Sequence, residues 1–405
     1  MKLAHPPAPQ AAQPDAAWGA VCALALGAFV LVASEFMPVS LLTPIASELA
    51  ISEGQAGQSI GISGAFALFT SLLLPVVAGR LDRKTLLLGL TLLMIASSTL
   101  SAFAPNYFLF MVGRALIGVA IGGFWSMSAA TAMRLVPLHQ VPRALAIVNG
   151  GNALATVVAA PLGSFLGGIV GWRGAFFCMV PIAALAFAWK LLSLPSMPAM
   201  PGKRAGNPFR LLRRPVVAYG MAATGFFFMG QFALFTYLRP FLERVTGVDV
   251  ATLSLLLLVN GLAGFAGTVF IGRFLKEGLY RTLIVIPAVM AVIALAFIAF
   301  GGSLAATALL LAIWGLIGTA APVGWWTWLA KTLPHDAEAG GGLVVAVVQL
   351  AIMVGATGGG MLFDAGGHQA SFGLGAVLLV LAAVLAALAM RAARRERPAA
   401  AMSQA

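Results

Sequence analysis

Residues 18–42 read WGAVCALALGAFVLVASEFMPVSLL, a stretch containing a single ionisable side chain, Glu35. A helix rising about 1.5 Å per residue crosses the hydrocarbon core of a bilayer in roughly 20 residues, so this stretch is long and apolar enough to do so. Similar runs follow at 55–77, 85–104, 108–133, 144–166, 175–194, 215–240, 250–272, 282–300, 304–330, 341–362 and 372–390. The 405-residue chain is 61% hydrophobic and 9% charged, with a mean hydropathy of +0.99, which excludes a water-soluble fold. The expected fold class is all-α integral membrane, with twelve transmembrane helices. Glu35 and Arg114 are the only ionisable residues expected well inside a span. Charge in lipid is costly and faces a polar pathway, so these two mark where function is expected.

A net charge of +12 invites a nucleic-acid reading, but its placement points to topology instead. With both termini assigned to the cytoplasm, all but four of the 24 lysines and arginines fall on that side or at its edge. Arg173, Arg239 and Arg244 lie opposite, and Arg114 lies within a span. This positive-inside bias places both ends in the cytoplasm. The run Arg391-Ala-Ala-Arg394-Arg395 then reads as a membrane-surface anchor. Cys22 and Cys178 are expected at opposite depths and unpaired.

The connector 195–214 holds Pro198, Pro201, Pro208 and five basic residues without an acid, and it divides the spans six and six. The expected organisation is a disordered cytoplasmic tail at 1–17, helical bundles at 18–194 and 215–390, a cytoplasmic linker at 195–214 and a basic tail at 391–405. A weak internal repeat supports two related halves. At an offset of 196, Glu35-Phe36 meets Gln231-Phe232, Ser40 meets Thr236 and Pro44 meets Pro240. At an offset of 200, Leu116-Ile117-Gly118 meets Leu316-Ile317-Gly318 and Trp125 meets Trp325; Gly79-Arg80 and Gly272-Arg273 are read as corresponding loops. Duplicated halves place a solute site near the midplane between them.

These features, with the loop Ala78-Gly79-Arg80-Leu81-Asp82-Arg83-Lys84 and the run Arg114-Ala-Leu-Ile-Gly118-Val-Ala-Ile-Gly122, resemble the major facilitator superfamily and its twelve-span drug:proton antiporter group. Within that group, the runs Glu35-Phe-Met-Pro-Val-Ser-Leu-Leu-Thr-Pro44, Gly122-Gly-Phe-Trp-Ser-Met-Ser128 and Gly230-Gln-Phe-Ala-Leu-Phe-Thr-Tyr-Leu-Arg-Pro240 resemble the bacterial purine ribonucleoside exporters. The resemblance implies two pseudo-symmetric six-helix bundles in a bacterial inner membrane. It also implies export of nucleosides such as inosine and guanosine by proton antiport. In the loop, Asp82 with Arg80 and Arg83 reads as a gate whose charge partners change as the halves rock. Gly118 and Gly122, four apart, read as packing residues.

If Pro44 and Pro105 end their spans, Glu35 and Arg114 both lie roughly 13 Å below that surface and can meet. Glu35 is read as the proton carrier and Arg114 as the group that tunes it, since a carboxyl that gains and loses a guanidinium neighbour can release and load a proton. Rings, amides and hydroxyls on an apolar wall suit a nucleoside. The candidates are Gln231, Thr236, Tyr237, Asn152, Gln349, Asn260, Trp125, Ser126 and Trp325, with Gln231 foremost as the repeat counterpart of Glu35. Each has an ordinary alternative as a belt aromatic or an interhelical hydrogen bond.

His5, His139, His335 and His368 lack metal-ligand spacing and no Gly-rich phosphate loop is present, which argues against an enzyme and against a metal site or cofactor. No re-entrant filter suggests a channel. A non-transporting membrane sensor, and a sugar or multidrug exporter of the same fold, remain as alternatives. The expected partners are a small-molecule substrate, protons and membrane lipid, with no nucleic acid, and the chain is expected to act as a monomer.

Overall fold

The computed structural model describes residues 16–77, 81–198, 208–334 and 336–402. Among these residues, nine helices are long and apolar enough to cross a membrane. Three of them double back, at Gly171 (φ 72°), at Gly278 and at Gly366–Gly367 (φ 65° at Gly367), so the chain makes twelve crossings. Gly171 and Gly367 hold left-handed conformations that a side chain would strain.

The first half comprises α1 (Trp18–Glu48), α2 (Glu53–Val77), α3 (Arg83–Ala102), α4 (Tyr107–Leu135), α5 (141–170) and α6 (172–193). In the second half, α7 (Pro215–Phe235) continues through the short turns Leu238–Phe241 and Leu242–Thr246. It is followed by α8 (250–277), α9 (279–300), α10 (Leu304–Gly318, then Ala321–Thr332), α11 (337–365) and α12 (368–402). We call the face holding the 194–214 connector the terminal face, and the face holding the α1–α2 and α11–α12 turns the far face. Side-chain caps start several helices: Asp82 on α3, Asn106 on α4, Asp249 on α8 and Ser303 on α10 each accept from a first-turn N–H.

Three expectations are corrected. α1 does not stop near Pro44 but runs on to Glu48, because the carbonyls its prolines free find donors elsewhere. Gly272-Arg273 is not a loop, since α8 continues past it with an exposed Arg273–Glu277 pair at 3.6 Å. Lys190 is not at an edge but 1% exposed inside the first half, a third ionisable group in the helical core. Its ammonium donates to Thr91 Oγ1 at 2.8 Å and lies 5.6 Å from the centre of the Phe124 ring. Gly27 makes room for it, since a Cβ there would collide with Lys190 Nζ. The sequence reading of 1–15, Arg80 and His335 falls outside the described residues.

The two halves pack by the same device. Gly118 and Gly122 of α4 meet the carbonyls of Ser63 and Ala67 on α2, and Gly315 of α10 meets the Asn260 carbonyl on α8. Only a missing Cβ permits backbones to approach that closely. Each half has its own apolar core, and a smaller cluster of Val39, Ile60, Phe232, Ile352 and Ala356 sits between them.

Among the described residues, the hydrogen bonds and ion pairs that join the halves all lie toward the far face. Asp364 accepts from Ser52 Oγ at 2.6 Å and from the Gly54 N–H at 2.9 Å. Arg244 pairs with Glu53 at 2.6 Å, Arg239 donates to the Ser40 carbonyl, and Ser254 bonds Ser164 at 2.9 Å. Among the described residues, the halves are thus latched on the far face.

Candidate functional site

Two prolines in α1 prepare the centre of the molecule. A proline has no N–H, so Pro38 and Pro44 leave the carbonyls of Ser34 and Ser40, each four residues back, without their helical donors. Buried carbonyls must be satisfied. Arg114, 1% exposed on α4, donates to the Ser34 carbonyl at 2.7 Å and to the Glu35 carbonyl at 3.0 Å. It reaches the Ser59 carbonyl at 3.3 Å as well. Arg239, from the second half, takes the Ser40 carbonyl.

Glu35 and Arg114 are therefore in contact, through the backbone of Glu35. Among the described residues no ion pair joins the guanidinium to the Glu35 carboxylate. Glu35 is 5% exposed, and the next residue, Phe36, lines a cavity between the halves.

That cavity, of about 80 Å³, is lined by Phe36, Gln231, Phe232, Asn260, Trp314 and Thr319, with Thr156, Ala159, Ala160 and Phe235 completing the wall. No ionisable side chain lines it. Phe36 and Phe232, matched by the sequence repeat, stack across the half-to-half boundary with centroids 5.8 Å apart. Gln231 Oε1, Asn260 Oδ1 and Trp314 Nε1–H are buried without hydrogen-bond partners. The residues that carry these two acceptors and one donor all line one uncharged, ring-walled space. The break in α10 beside it also follows from sequence: Pro322 cannot bond the Gly318 carbonyl, and the helix lapses at Thr319, which lines the cavity.

Of the candidates named from sequence, Gln231 and Asn260 line this space. Tyr237 instead donates to the Ala356 carbonyl at 2.7 Å and stacks on Phe363 in the far-face seal, with Thr236 buried beside it. Gln349 is buried at the α2–α11 crossing, where its carbonyl faces Gly64. Asn152 is partly buried one turn before Thr156. Trp125 packs edge-on against Phe124, exposed Ser126 bonds back to the Gly123 carbonyl, and Trp325 is buried among Phe227 and Trp328. The sequence reading missed Phe36, Thr156, Phe232, Phe235, Trp314 and Thr319. A signal for Trp314 existed, because the offset of 200 that matches α4 to α10 sets it opposite Arg114. The pair Glu35 and Arg114 in one half thus corresponds to Gln231 and Trp314 in the other.

Asp82 lies on the terminal face. Besides capping α3, it accepts from Ser196 Oγ and the Met197 N–H, both at 2.7 Å, tying the α2–α3 loop to the connector of its own half. The Arg83 N–H bonds the Met197 carbonyl at 3.0 Å, and Arg80 is outside the described residues. Burial acts to raise the Asp82 pKa, but the bonds from Ser196, Lys84, Met197 and Thr85 outweigh it and hold the carboxyl below its ordinary range. On the far face, Arg173 anchors the first half by pairing with Glu48 at 2.6 Å and bonding the Ala104 carbonyl.

Comparison with known proteins agrees with this architecture. The transcription regulatory protein OpdE of Pseudomonas aeruginosa is 61% identical over 380 residues, covering 92% of this chain and 94% of that protein. The purine ribonucleoside efflux pump NepI of Salmonella enteritidis is 42% identical over 374 residues, with the same coverage. Among solved structures, a bacterial homologue of the human lysosomal transporter Spinster, inward-facing and unoccupied, matches 93% of this chain and 97% of its own, with a TM-score of 0.73 at 17% identity. The profile of the Major Facilitator Superfamily matches residues 24–345, and the chain belongs to that superfamily of membrane transporters.

Proposed function

We propose that this transporter exports neutral purine ribonucleosides, such as inosine and guanosine, in exchange for protons. The observation that carries the reading is the uncharged, ring-walled cavity in which Gln231, Asn260 and Trp314 each hold a buried polar atom without a partner. Such groups cost free energy unless a ligand meets them. A nucleoside base offers matching donors and acceptors on a flat face, and the likeness to NepI supports the same substrate class. At about 80 Å³ the space is below the roughly 300–1,000 Å³ of typical ligand pockets, so loading requires the halves to shift. Latching of the halves at the far face suits alternating access.

The terminal face is the cytoplasmic one in this reading, by its excess of lysine and arginine, and the membrane is the bacterial inner membrane. Glu35 carries the proton. Arg114 grips the α1 backbone at that carboxyl, so a movement of α4 against α1 changes the field that Glu35 feels. Asp82 secures the connector while the cytoplasmic side is open. Proteoliposomes with an imposed pH gradient test the proposal: labelled inosine and guanosine should move against their gradients, and glucose or cationic dyes should not. Movement of sugars or dyes in place of nucleosides would replace this substrate class.

The likeness to OpdE favours a second reading, a membrane sensor with the same cavity that binds without moving its ligand. Efflux from preloaded vesicles separates the two, since a sensor gives saturable binding with no net flux.

A further inference from the structure

We propose that Trp314 is the specificity-determining donor of the cavity, and that it selects solutes presenting a lactam edge, a ring carbonyl beside a ring N–H. This deepens the nucleoside reading and rests on it. Amide side chains can rotate to offer either an oxygen or an NH₂, so Gln231 and Asn260 adapt to what faces them. An indole cannot: it is a donor only, and its partner must supply an acceptor. Trp314 is 2% exposed and packs against Phe297 of α9, with ring centroids 6.4 Å apart, which holds the indole in one orientation. Its N–H lacks an acceptor, and the oxygens of Gln231 and Asn260, which line the same cavity, lack donors and do not bond it.

A ring carbonyl satisfies Trp314, and the adjacent ring N–H satisfies the oxygen of Gln231. An exocyclic amino group, where present, suits Asn260. The stacked Phe36–Phe232 pair walls the same space with rings. The repeat register adds an independent argument. Trp314 occupies in the second half the place of Arg114 in the first, where that arginine's donors are consumed by main-chain carbonyls. In the second half the corresponding donor has no such carbonyl and is left for the solute.

The test compares inosine with purine riboside, which lacks both the 6-carbonyl and the ring N–H beside it, by equilibrium binding to the purified full-length protein and its Trp314→Phe variant. Wild type should bind inosine at least about tenfold more tightly than purine riboside, since both the bond to Trp314 and the bond from the ring N–H to Gln231 are lost. Trp314→Phe should reduce that preference about tenfold by weakening inosine while leaving purine riboside unchanged, the remainder resting on the ring N–H and Gln231. Equal weakening of both nucleosides, which a packing role would produce, overturns the assignment. So does equal affinity of the wild type for the two, a result that does not depend on the variant folding. Failure of the wild type to bind either nucleoside overturns the substrate reading together with this one, whereas tight binding without discrimination overturns this one alone.

Discussion

Glu35 and Lys190 show how little a charge count reveals about a membrane core until neighbours are known. Both are buried, yet Glu35 precedes the cavity-lining Phe36 on α1 and Lys190 sits within one half against Thr91 and Phe124. Glu35→Gln should leave binding measurable while abolishing the dependence of export on the pH gradient; undiminished proton-driven flux would remove the carboxyl from the coupling step. Lys190→Met should have the opposite profile. Lys190 has no ion-pair partner among the described residues, so replacing it by an apolar chain of similar length removes the cost of burying a charge and should be neutral or stabilising. Thermal unfolding in detergent should show an unchanged or higher midpoint, with transport retained. Arg114→Lys is not conservative here, because one ammonium cannot reproduce the guanidinium fork that spans Ser34, Glu35 and Ser59. Sequence marked Glu35 and Arg114 because charge in lipid is conspicuous. It did not mark Trp314, because a tryptophan in an apolar run is unremarkable until its N–H is seen to lack an acceptor.

For helices, the prolines and glycines carry the argument. Pro44 was read as the end of α1, but the helix continues past both Pro38 and Pro44, because arginines from two other helices take the freed carbonyls. Gly118→Ala places a methyl group against the Ser63 carbonyl and should force α2 and α4 apart. The expected result is a loss of folded protein in fluorescence size-exclusion profiles, at a cost of about 1–3 kcal/mol. Asp82 holds α3 and the connector together. Since its carboxyl pKa is lowered in the folded state, the stabilisation it adds is present above the unfolded carboxylate range and fades as pH falls through the folded value. Hydrogen exchange at the Met197 amide, corrected for intrinsic rates, should rise in acid in wild type and be already high in Asp82→Ala.

Across the whole molecule, the far face is closed by a latch whose parts come from opposite halves. Glu53 is 7% exposed and its partner Arg244 is 64% exposed, so the pair adds little by mutual attraction, but removing Arg244 strands a buried carboxylate. Arg244→Gln should therefore open the far face, and adding Glu53→Gln should close it again. Spin labels at Phe103→Cys and Gly302→Cys, in a background lacking Cys22 and Cys178, would report this. The single variant should lengthen the distance and the double variant restore it; identical distances in all three proteins would show that the pair does not hold the latch.

Twelve crossings, two halves and the terminal-face connector were determined by the sequence, because burying an apolar run in lipid, turning at glycine or proline and placing basic side chains on one side are local requirements of the chain. The assembly of Gln231, Asn260 and Trp314 around one space was decided only by tertiary structure. Those residues belong to three helices, and nothing in any one helix specifies which of its faces meets the others. The same holds for the pairing of Asp364 with Ser52, separated by more than three hundred positions, since packing between halves satisfies polar groups that no local rule assigns.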